Sequence, residues 1–380
     1  MTSADVVVIG GGIIGASVAY HLKRRGAGSV LVLERDRLGS GSTGKNAGGI
    51  RLQFSSEINV RLSQRSLPRI VAFQEEMGVD PQLRQVGYLF LITAEQDVPF
   101  FERSLELWSR LGVPARRLDA ADVHALFPEV RTDDVRFATF CAEDGYADPN
   151  SLLQGYVARG RELGVEFREG AAVTAIERAG DRIAAVRIGD ERIECGTVVN
   201  AAGAWAGTVG ALVGLALPIV PLRRQIFVTE PVPGLDRDFP LTIEFASGLY
   251  FHRESAGVLM GMADRRERPG FDDSLNWDFL PSLVERALSR LPALERTTVK
   301  TGWAGYYEDT PDKHPIIGAI PEVPGFICAA GFSGHGFMHA PVAGELIAQV
   351  VRGEPTALDI RALAFSRFAD GPVAVEHNVI

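Results

Sequence analysis

The first part of the chain alternates between short apolar runs and an amphipathic stretch, which predicts the order strand, helix, strand. Asp5 to Ile9 (DVVVI) is a β-branched run typical of a strand buried on both faces of a parallel sheet. The stretch ASVAYHLKRRG has helical spacing of its apolar residues, and Ser29 to Leu33 is a second buried run. Glycines fill the turn between the first strand and the helix, and Glu34 follows the second strand. The pattern predicts a βαβ unit.

The glycines of this turn have the spacing of a dinucleotide-binding fingerprint. Gly10 makes the tight turn, Gly12 lets a pyrophosphate approach the amino end of the helix, and Gly15 permits close packing of helix on strand. The Glu34 carboxylate can accept hydrogen bonds from ribose hydroxyls. Its charge disfavours a 2′-phosphate, although the adjacent Arg35 weakens that argument. The fingerprint therefore favours NAD or FAD over NADP and leaves the choice between them open.

Three later segments are rich in small residues that could lie against a ligand. The loop 39–51 (GSGSTGKNAGGIR) stands where the second βα connection of a doubly wound sheet is expected, and its N–H groups could reach a diphosphate and a flat ring. A flexible surface loop is the alternative. Residues 197–205 (TVVNAAGAW) read as a buried strand that runs into small residues. Residues 325–330 (GFICAA) predict a strand that opens into a second glycine turn, 331–338, at the start of a helix.

The intervening segments have the pattern of antiparallel strands and helices. YLFLITA, QIFVTE, LYFHR and GVLMGMAD alternate along the chain, and a helix is predicted around Val98 to Leu111. We therefore expect an α/β architecture. A Rossmann-like domain of residues 1–82, 141–216 and 305–380 carries an inserted antiparallel α+β substrate domain of residues 83–140 and 217–304. The substrate should meet the cofactor at the domain junction.

Composition narrows the class of protein and of partner. The 380 residues include 48 acidic and 39 Lys or Arg side chains, a formal net charge of −9, and 46% are apolar, which predicts a globular chain with a large core. The acid excess disfavours nucleic acid, because phosphate binding needs a clustered basic surface. Cys141, Cys195 and Cys328 are too few and too far apart for a disulfide framework or metal site, so we expect no metal and a cytoplasmic location. The start, MTSADVVVIGGG, has neither the pattern of an export signal nor that of a membrane span.

Four motifs occur along the chain in the order seen in the D-amino-acid oxidase superfamily of FAD enzymes. They are VVVIGGGIIG with Glu34, GSTGKNAGGIR, NAAGAWA and DTPDKHPIIG…GFICAAGFSGHGFMHAP. Within it the chain most resembles the sarcosine oxidase, glycine oxidase and proline dehydrogenase β-subunit group, over nearly its whole length. The resemblance implies a glutathione-reductase-2-like FAD fold, with Glu34 on the ribose, Ser42 and Thr43 by the pyrophosphate, and the second glycine turn around the isoalloxazine ring. The residues expected to hold FAD are Gly10, Gly12, Ile13, Ile14, Gly15, Glu34, Arg35, Ser42, Thr43, Asn46, Ala47, Gly48, Gly49, Val173, Ala201, Ala202, Gly203, Trp205, Gly305, Gly331, Phe332, Ser333, Gly334, His335, Gly336, Phe337 and Met338.

A flavin accepts a hydride at N5 from the carbon beside an amine, and protein groups orient the substrate. The candidates for that task are Arg51, Tyr250, His252, Tyr307 and His335. The resemblance matches Arg51 to an arginine that helps to bind the substrate carboxylate in sarcosine oxidases, and Tyr250 to a substrate-contacting tyrosine. His252 shares the strand face of Tyr250, and the His335 ring could hydrogen-bond cofactor or water. The alternatives are a surface ion pair for Arg51 and core packing for Tyr250.

The chain departs from these relatives at four positions. Met338 stands where monomeric sarcosine oxidases have a carboxylate-binding lysine, and Tyr307 stands where glycine oxidases use an arginine. Both changes argue for a bulkier or more apolar substrate than glycine. Gly305 replaces the cysteine that tethers FAD, which predicts a non-covalent flavin. Leu259 replaces a lysine that promotes reaction with oxygen, which predicts a dehydrogenase.

These residues lead to one expected function and two alternatives. We expect FAD-dependent oxidation of the C–N bond of a secondary or cyclic amino acid, such as proline, hydroxyproline or sarcosine, to an imine. The expected partners are the small amine substrate and an electron acceptor or oxygen, with a partner subunit as a further candidate. The alternatives are an amine oxidase that uses oxygen and a flavin-binding assembly factor without turnover.

Overall fold

A computed structural model of the chain describes residues 2–369 and 374–379. Within these ranges the helices are α1 (Ile13–Arg24), α2 (Glu57–Val71), α3 (Phe73–Met77), α4 (Val98–Arg110), α5 (Ala120–Leu126), α6 (Pro149–Glu162), α7 (Ala206–Ala211), α8 (Leu280–Arg290) and α9 (Gly336–Arg352). The strands are β1 (Val6–Ile9), β2 (Val30–Leu33), β3 (Gly49–Ile50), β4 (Tyr88–Ile92), β5 (Arg116–Leu118), β6 (Phe137–Cys141), β7 (Gly145–Tyr146), β8 (Val165–Arg168), β9 (Ala175–Ala179), β10 (Arg182–Ile188), β11 (Glu191–Glu194), β12 (Thr197–Asn200), β13 (Val220–Thr229), β14 (Leu241–Glu244), β15 (Leu249–Glu254), β16 (Gly257–Gly261), β17 (Val299–Asp309), β18 (Ile316–Ala319) and β19 (Phe326–Ala330).

A six-stranded sheet with the order β18-β19-β12-β1-β2-β8 forms the nucleotide-binding half of the fold. Its strands are parallel except for the edge strand β18. Every residue of β1 is buried, because one face packs on α1 and α9 and the other on the three-stranded sheet β11-β10-β9. The apolar run of β1 is continuous for this reason, as expected for a strand covered on both faces.

An eight-stranded sheet with the order β17-β13-β16-β15-β14-β4-β6-β5 forms the second half. Leu89 and Leu91 of β4 face a core shared with α5 and α8, whereas Tyr88 and Phe90 face the first sheet's side of the molecule. The expectation of purely antiparallel strands is wrong at one pair, because β4 and β14 run parallel, with Leu241 opposite Tyr88. These two strands come from segments far apart in the chain, so no hairpin turn fixes their relative direction.

The long strand β17 pairs with β13 along its whole length. The expected domain boundary between residues 304 and 305 falls inside this strand, and the proposed domain ranges otherwise stay a prediction. The alternation of GWAGYYED shows no break at this boundary. The strand continues past Gly305, where β17 begins to face the loop 39–51. Within the described ranges, no helix has the combined length and apolar character that a bilayer crossing requires.

Candidate cofactor and substrate site

A cavity of about 720 Å³ is lined by residues of both large sheets. That volume lies within the range of roughly 300–1,000 Å³ typical of ligand sites. Ile9, Leu33 and Ala201 line it from the six-stranded sheet, and Ile226 and Ile243 line it from the eight-stranded sheet. The cavity therefore lies where the sequence places the meeting point of cofactor and substrate.

The turn between β1 and α1 requires its glycines. Gly10 has a φ of +113°, and a Cβ atom there would lie 2.3 Å from the Ala201 carbonyl oxygen. A Cβ at Gly15 would lie 1.9 Å from the Gly10 carbonyl oxygen, so Gly15 brings α1 against the strand without lining the cavity. The start of α1 lines the cavity through Gly12, Ile13 and Ile14, and the Ile13 N–H donates to Thr43 Oγ1 at 3.0 Å. This is a helix terminus suited to a diphosphate.

Glu34 lies at the carboxyl end of β2, as the fingerprint requires. Its Oε2 accepts from the Gly11 N–H at 2.7 Å, and its Oε1 accepts from the Asp36 N–H at 2.9 Å. Arg35 is not free to receive a 2′-phosphate, because its guanidinium pairs with Asp36 at 2.8 Å and lies 4.3 Å from the Trp205 ring centroid. Glu34, Arg35 and Trp205 all line this end of the cavity, which fits a ribose and an adenine better than a phosphorylated ribose.

The loop 39–51 is held by hydrogen bonds within itself and to β17. The Ser42 hydroxyl donates to the Tyr306 carbonyl at 2.7 Å, and the Asn46 side chain both donates to the Thr43 carbonyl and accepts from the Gly48 N–H, each at 2.7 Å. Gly48 has a φ of +70° and approaches the Ala147 carbonyl, where a Cβ would lie at 2.1 Å. Position 48 therefore requires glycine because the loop packs closely on Ala147, and not because the residue lines the cavity.

The second glycine turn closes the opposite side of the cavity. A Cβ at Gly334 would lie 2.4 Å from the Tyr307 ring, so this glycine lets the aromatic side chain lie flat on the backbone. Phe332 is fully buried in the core, and Gly331 faces Thr310. The Gly331 N–H donates to Glu308 Oε2 at 3.1 Å, and burial raises the pKa of the Glu308 carboxyl to about 7. Glu308 lines the cavity and was not anticipated from the sequence.

Most of the predicted cofactor residues line the cavity. They are Gly10, Gly12, Ile13, Ile14, Glu34, Arg35, Ser42, Thr43, Asn46, Ala47, Gly49, Val173, Ala201, Ala202, Gly203, Trp205, Gly305, Ser333, Gly334, His335, Gly336, Phe337 and Met338. The lining does not include Gly15, Gly48, Gly331 or Phe332, which support it from behind. Which of these residues touch the cofactor stays a prediction.

Arg51 is a buried cation at the other end of the cavity, 6% exposed. Its Nη1 donates to the Gln53 carbonyl at 3.1 Å and its Nη2 to the Asn378 carbonyl, while the guanidinium lies 4.1 Å from the Phe54 ring centroid. Burial lowers the pKa of Arg51. Among residues 2–369 and 374–379 no carboxylate pairs with it, so this is not the surface ion pair of the alternative interpretation. A buried cation held only by carbonyls is a receptive site for an anionic ligand.

Three tyrosine hydroxyls face the same end of the cavity. Tyr88, Tyr250 and Tyr307 line it, and within the described residues none of their hydroxyls has a hydrogen-bond partner. Burial raises the pKa of all three, which keeps them protonated, and the nearby Arg51 charge acts in the opposite direction on Tyr88 and Tyr307. Gly261 makes room for Tyr250, since a Cβ there would lie 2.3 Å from the hydroxyl. These phenols are available donors for a ligand.

The two candidate histidines do not present a free nitrogen. His252 points behind the glycine loop, where Nε2 lies 3.0 Å from the Ala47 carbonyl and Nδ1 2.8 Å from the Arg253 carbonyl, and it does not line the cavity. His335 does line it, but its Nε2 lies 3.0 Å from the Lys313 carbonyl and its Nδ1 3.3 Å from the His339 ring. Burial lowers the pKa of His252 to about 4 and that of His335 to about 3. Both rings are neutral supports in this arrangement.

Two further cations line the cavity and were missed at the level of sequence. Arg224 on β13 lies 4.8 Å from the Tyr307 ring centroid, and Lys45 in the glycine loop donates to Asp273 at 2.8 Å. The alternation of β13 was the available signal, because Arg224 and Ile226 are two positions apart and share one face. Lys45 carries no comparable pattern in the sequence. Tyr88 belongs to the YLFLITA run, whose apolar pattern predicts a strand of the hydrophobic core and gives no sign of a ligand site.

The donor set fits a flavin dinucleotide. One end offers a helix terminus and the Glu34 carboxylate, and further along the cavity Gly49 and Gly334 expose backbone, because a Cβ at either would collide with Tyr88 or Tyr307. Within the described residues the lining contains no cysteine, and Gly305 has no side chain through which a flavin could be tethered. No cluster of three or more metal-ligating side chains occurs in the part of the chain that the structure describes.

Fold and cavity together define a two-sheet dinucleotide-binding flavoprotein. A family model described as FAD dependent oxidoreductase (DAO) matches residues 5–350, and the chain belongs to this family. It is an FAD-dependent oxidoreductase, and the fold and cofactor expected from its sequence are confirmed.

Relatives of this family differ in what they are named for. FAD-dependent oxidoreductase domain-containing protein 1 of Bos taurus is 32% identical over 99% of this chain and 87% of its own length. Mitochondrial sarcosine dehydrogenase of Mus musculus is 31% identical over 93% of this chain but only 40% of its own length. The crystal structure of L-proline dehydrogenase from P. horikoshii superposes with a TM-score of 0.92 at 33% identity, covering 98% of this chain and 99% of that one. Glycine oxidase from Geobacillus kaustophilus gives 0.88 at 25% identity, covering 97% and 99%.

Proposed function

We propose that the protein oxidises the C–N bond of a secondary or cyclic amino acid to an imine, with FAD as the oxidant. The observation that carries the proposal is the buried Arg51 guanidinium, which faces the cavity with only carbonyl partners among the described residues. A substrate carboxylate would complete its hydrogen bonds. The sarcosine and proline dehydrogenases among the relatives support this class of substrate.

The surroundings of Arg51 favour an apolar ring or short side chain on that substrate. Ile226, Leu241, Ile243 and Met338 line the cavity and offer no polar group. The phenol hydroxyls of Tyr250 and Tyr307 could accept from the amine or donate to the carboxylate. Together these groups would hold an amino acid by its polar end and enclose the rest.

Bound FAD supplies the hydride acceptor, and the residues of this chain orient and enclose the substrate. The carbon next to nitrogen would lose a hydride to the flavin and the neutral nitrogen would lose its proton to water, so that a C=N bond replaces the C–N single bond. Water then adds to the imine. An acyclic imine gives a carbonyl product and an amine, and a cyclic imine opens to one molecule that carries both groups. Because His252 and His335 present no free nitrogen, the proposal does not assign a catalytic base to either histidine and has the amine bind in its neutral form.

The test is an anaerobic panel of amino acids read at the flavin absorbance. We expect bleaching by proline, hydroxyproline or sarcosine, in one stereochemical series, and little by glycine. A panel in which no amine bleaches the flavin would refute the proposed oxidation and favour a flavin-binding assembly role, which remains the alternative for a chain that also resembles a protein named only for its domain.

The electron acceptor is the second part of the proposal. Leu259 is buried in a small apolar cluster with Ile226 and Val228 and brings no charge to the site, which favours an acceptor other than oxygen. Lys45 favours the alternative of an oxidase, because it is a cation that lines the cavity beside Gly305. Its ammonium is already neutralised by Asp273, so we expect slow reaction with oxygen.

Stopped-flow reoxidation of the reduced protein in air separates these two functions. We expect a slow rate that Lys45→Met leaves within about twofold, with Lys300→Met, an exposed lysine on β17, as the matched control. Fast reoxidation that Lys45→Met abolishes and Lys300→Met does not would identify an oxidase.

Two broader expectations also stay proposals. We place the protein in a reducing compartment such as the cytoplasm because its three cysteines are buried and free, and cell fractionation tests this. The relatives named sarcosine dehydrogenase are described as mitochondrial, which is the opposing possibility. A partner subunit that receives the electrons would be detected by co-purification of the native complex.

A further inference from the structure

The 374–379 segment lies against the substrate end of the cavity. Val379 lines the cavity together with Arg51. The Asn378 carbonyl accepts from Arg51 Nη2, and the Asn378 side-chain amide donates at 3.1 Å to the Gln53 carbonyl, which also accepts from Arg51 Nη1. Asn378 is fully buried. The segment thus contacts the one side chain on which the binding of a substrate carboxylate depends.

Glu376 fixes this segment to the start of α2. Its carboxylate accepts from the N–H groups of Ser55 and Ser56 at 2.8 and 3.0 Å, from both of their hydroxyls, and from the Asn59 amide at 3.1 Å. Glu376 is 1% exposed, and its position at the amino end of a 15-residue helix favours the negative charge. These five hydrogen bonds from Ser55, Ser56 and Asn59 hold the backbone on either side of Glu376 in one place.

The neighbouring backbone is tied down as well. The Glu376 N–H donates to the Asp312 carbonyl at 3.0 Å, the Asn378 N–H donates to Glu376 Oε1 at 3.0 Å, and the Ala374 carbonyl lies 3.1 Å from His314 Nε2. The contacts of residues 374, 376 and 378 thus place Val379, which is half-buried, at the wall of the cavity.

We propose that residues 376–379 are the specificity-determining wall of the substrate pocket, with Val379 limiting the size of the substrate side chain and the Asn378 carbonyl orienting Arg51. This inference rests on the proposed amino-acid oxidation and narrows it to substrates with a compact apolar side chain or ring. Among residues 2–369 and 374–379, two of the five guanidinium N–H groups of Arg51 donate to carbonyls, so three more could donate to a substrate carboxylate. Val379, Ile243 and Leu241 set the apolar part of the pocket.

The test uses carboxylates that cannot be oxidised, so that pocket size is read without turnover. Acetate and benzoate are titrated against the oxidised holoenzyme, and binding is followed by the change in flavin absorbance. Val379→Ala removes two methyl groups from the wall, and Val375→Ala is the matched control, because Val375 belongs to the same segment but is 39% exposed. We expect Val379→Ala to raise the ratio of benzoate to acetate affinity about tenfold and Val375→Ala to leave it unchanged.

A second variant tests the anchor. Glu376→Ala releases the segment from Ser55 and Ser56, and we expect weaker binding of acetate together with a larger loss of size selection than in Val379→Ala. If Glu376→Ala does not fold with FAD, the ratio of benzoate to acetate affinity in Val379→Ala still tests the proposal.

Two results would contradict the proposal that residues 376–379 limit substrate size. The first is an equal ratio of benzoate to acetate affinity in wild type, Val379→Ala and Val375→Ala. The second is a wild type that binds neither carboxylate. Failure of the proposed oxidation is recognised separately. In that case carboxylates bind and the ratio shifts as expected, yet no amino acid bleaches the flavin.

Discussion

At the scale of single residues, the site depends on side chains whose partners are incomplete. Arg51 is buried with two carbonyl acceptors, and the hydroxyls of Tyr88, Tyr250 and Tyr307 have no acceptor within the described residues. Burying such groups is costly unless a ligand satisfies them. His252, which supports the cavity from behind, instead has a carbonyl oxygen of the protein within 3.0 Å of each ring nitrogen, and its neutral ring donates to one of them. Whether the polar groups of a side chain have hydrogen-bond partners therefore distinguishes the side chains that face a ligand from those that only pack around the cavity.

Replacing Arg51 tests that distinction. Arg51→Met removes the buried cation, and we expect substrate affinity to fall by about 2–5 kcal/mol, the cost of removing one partner of a buried charged pair. Arg51→Lys should restore only part of it, because an ammonium lacks the planar fork of the guanidinium. Anaerobic flavin titration measures the dissociation constant, and an unchanged flavin spectrum shows that FAD is retained. Arg61→Met, an exposed arginine on α2, is the matched control, and an equal loss there would contradict the assignment.

At the scale of elements, two helices direct their amino ends into one cavity. α1 and α9 pack closely because Gly344 lets them approach, since a Cβ there would lie 2.2 Å from Ser17 Oγ. The Ser17 hydroxyl also donates to the Ala340 carbonyl of α9 at 2.8 Å. Each helix terminus contributes partial positive charge, one toward the predicted position of the diphosphate and one toward the predicted position of the ring. Their contact keeps the two ends of the dinucleotide site at a fixed separation.

The eight-stranded sheet depends on a buried ion cluster under α8. Glu244 at the end of β14 is fully buried and accepts from Arg290 Nε at 2.7 Å and from Arg286, and Arg290 also pairs with Asp134 at 2.8 Å. Glu244→Gln leaves Arg290, which is 2% exposed, with only one of its two carboxylate partners. We therefore expect a loss of about 3 kcal/mol in the free energy of unfolding.

Urea denaturation followed by circular dichroism measures this loss. Asp134→Asn, at a side chain 47% exposed, is the control, with an expected loss below about 1 kcal/mol. Equal losses in the two variants would mean that the burial of Glu244 has no special role.

At the scale of the whole molecule, buried neutral histidines tie stability to pH. Burial lowers the pKa of His21 and His335 to about 3 and that of His252 to about 4. An unfolded histidine has a pKa of about 6.5, so unfolding takes up protons below that value. The contribution of these residues to stability is fully present above about pH 6.5 and is lost as the pH falls toward their folded-state values.

His21 gives a direct test of this dependence. Each such histidine contributes about 1.4 kcal/mol per pH unit to the slope of unfolding free energy between about pH 6 and 4. We expect His21→Leu to reduce the slope by that amount in urea titrations at several pH values. His124→Leu, at an exposed histidine on α5, is the surface control for the substitution itself. A slope unaffected by His21→Leu would show that His21 takes up its proton in the folded state as well.

The sequence by itself determined the βαβ unit and the positions of its glycines and Glu34, because strand period and turn chemistry are local properties of the chain. FAD followed from the resemblance that the order of the motifs carries. The sequence did not determine which positions along a strand reach the cavity. His252 was therefore placed in the pocket although the loop 39–51 covers it, and Arg224 and Tyr88 were overlooked. The parallel pairing of β4 with β14 and the contact of Asn378 with Arg51 join segments more than 100 residues apart. Only tertiary packing decides such contacts, because no local pattern records which distant segments share a surface.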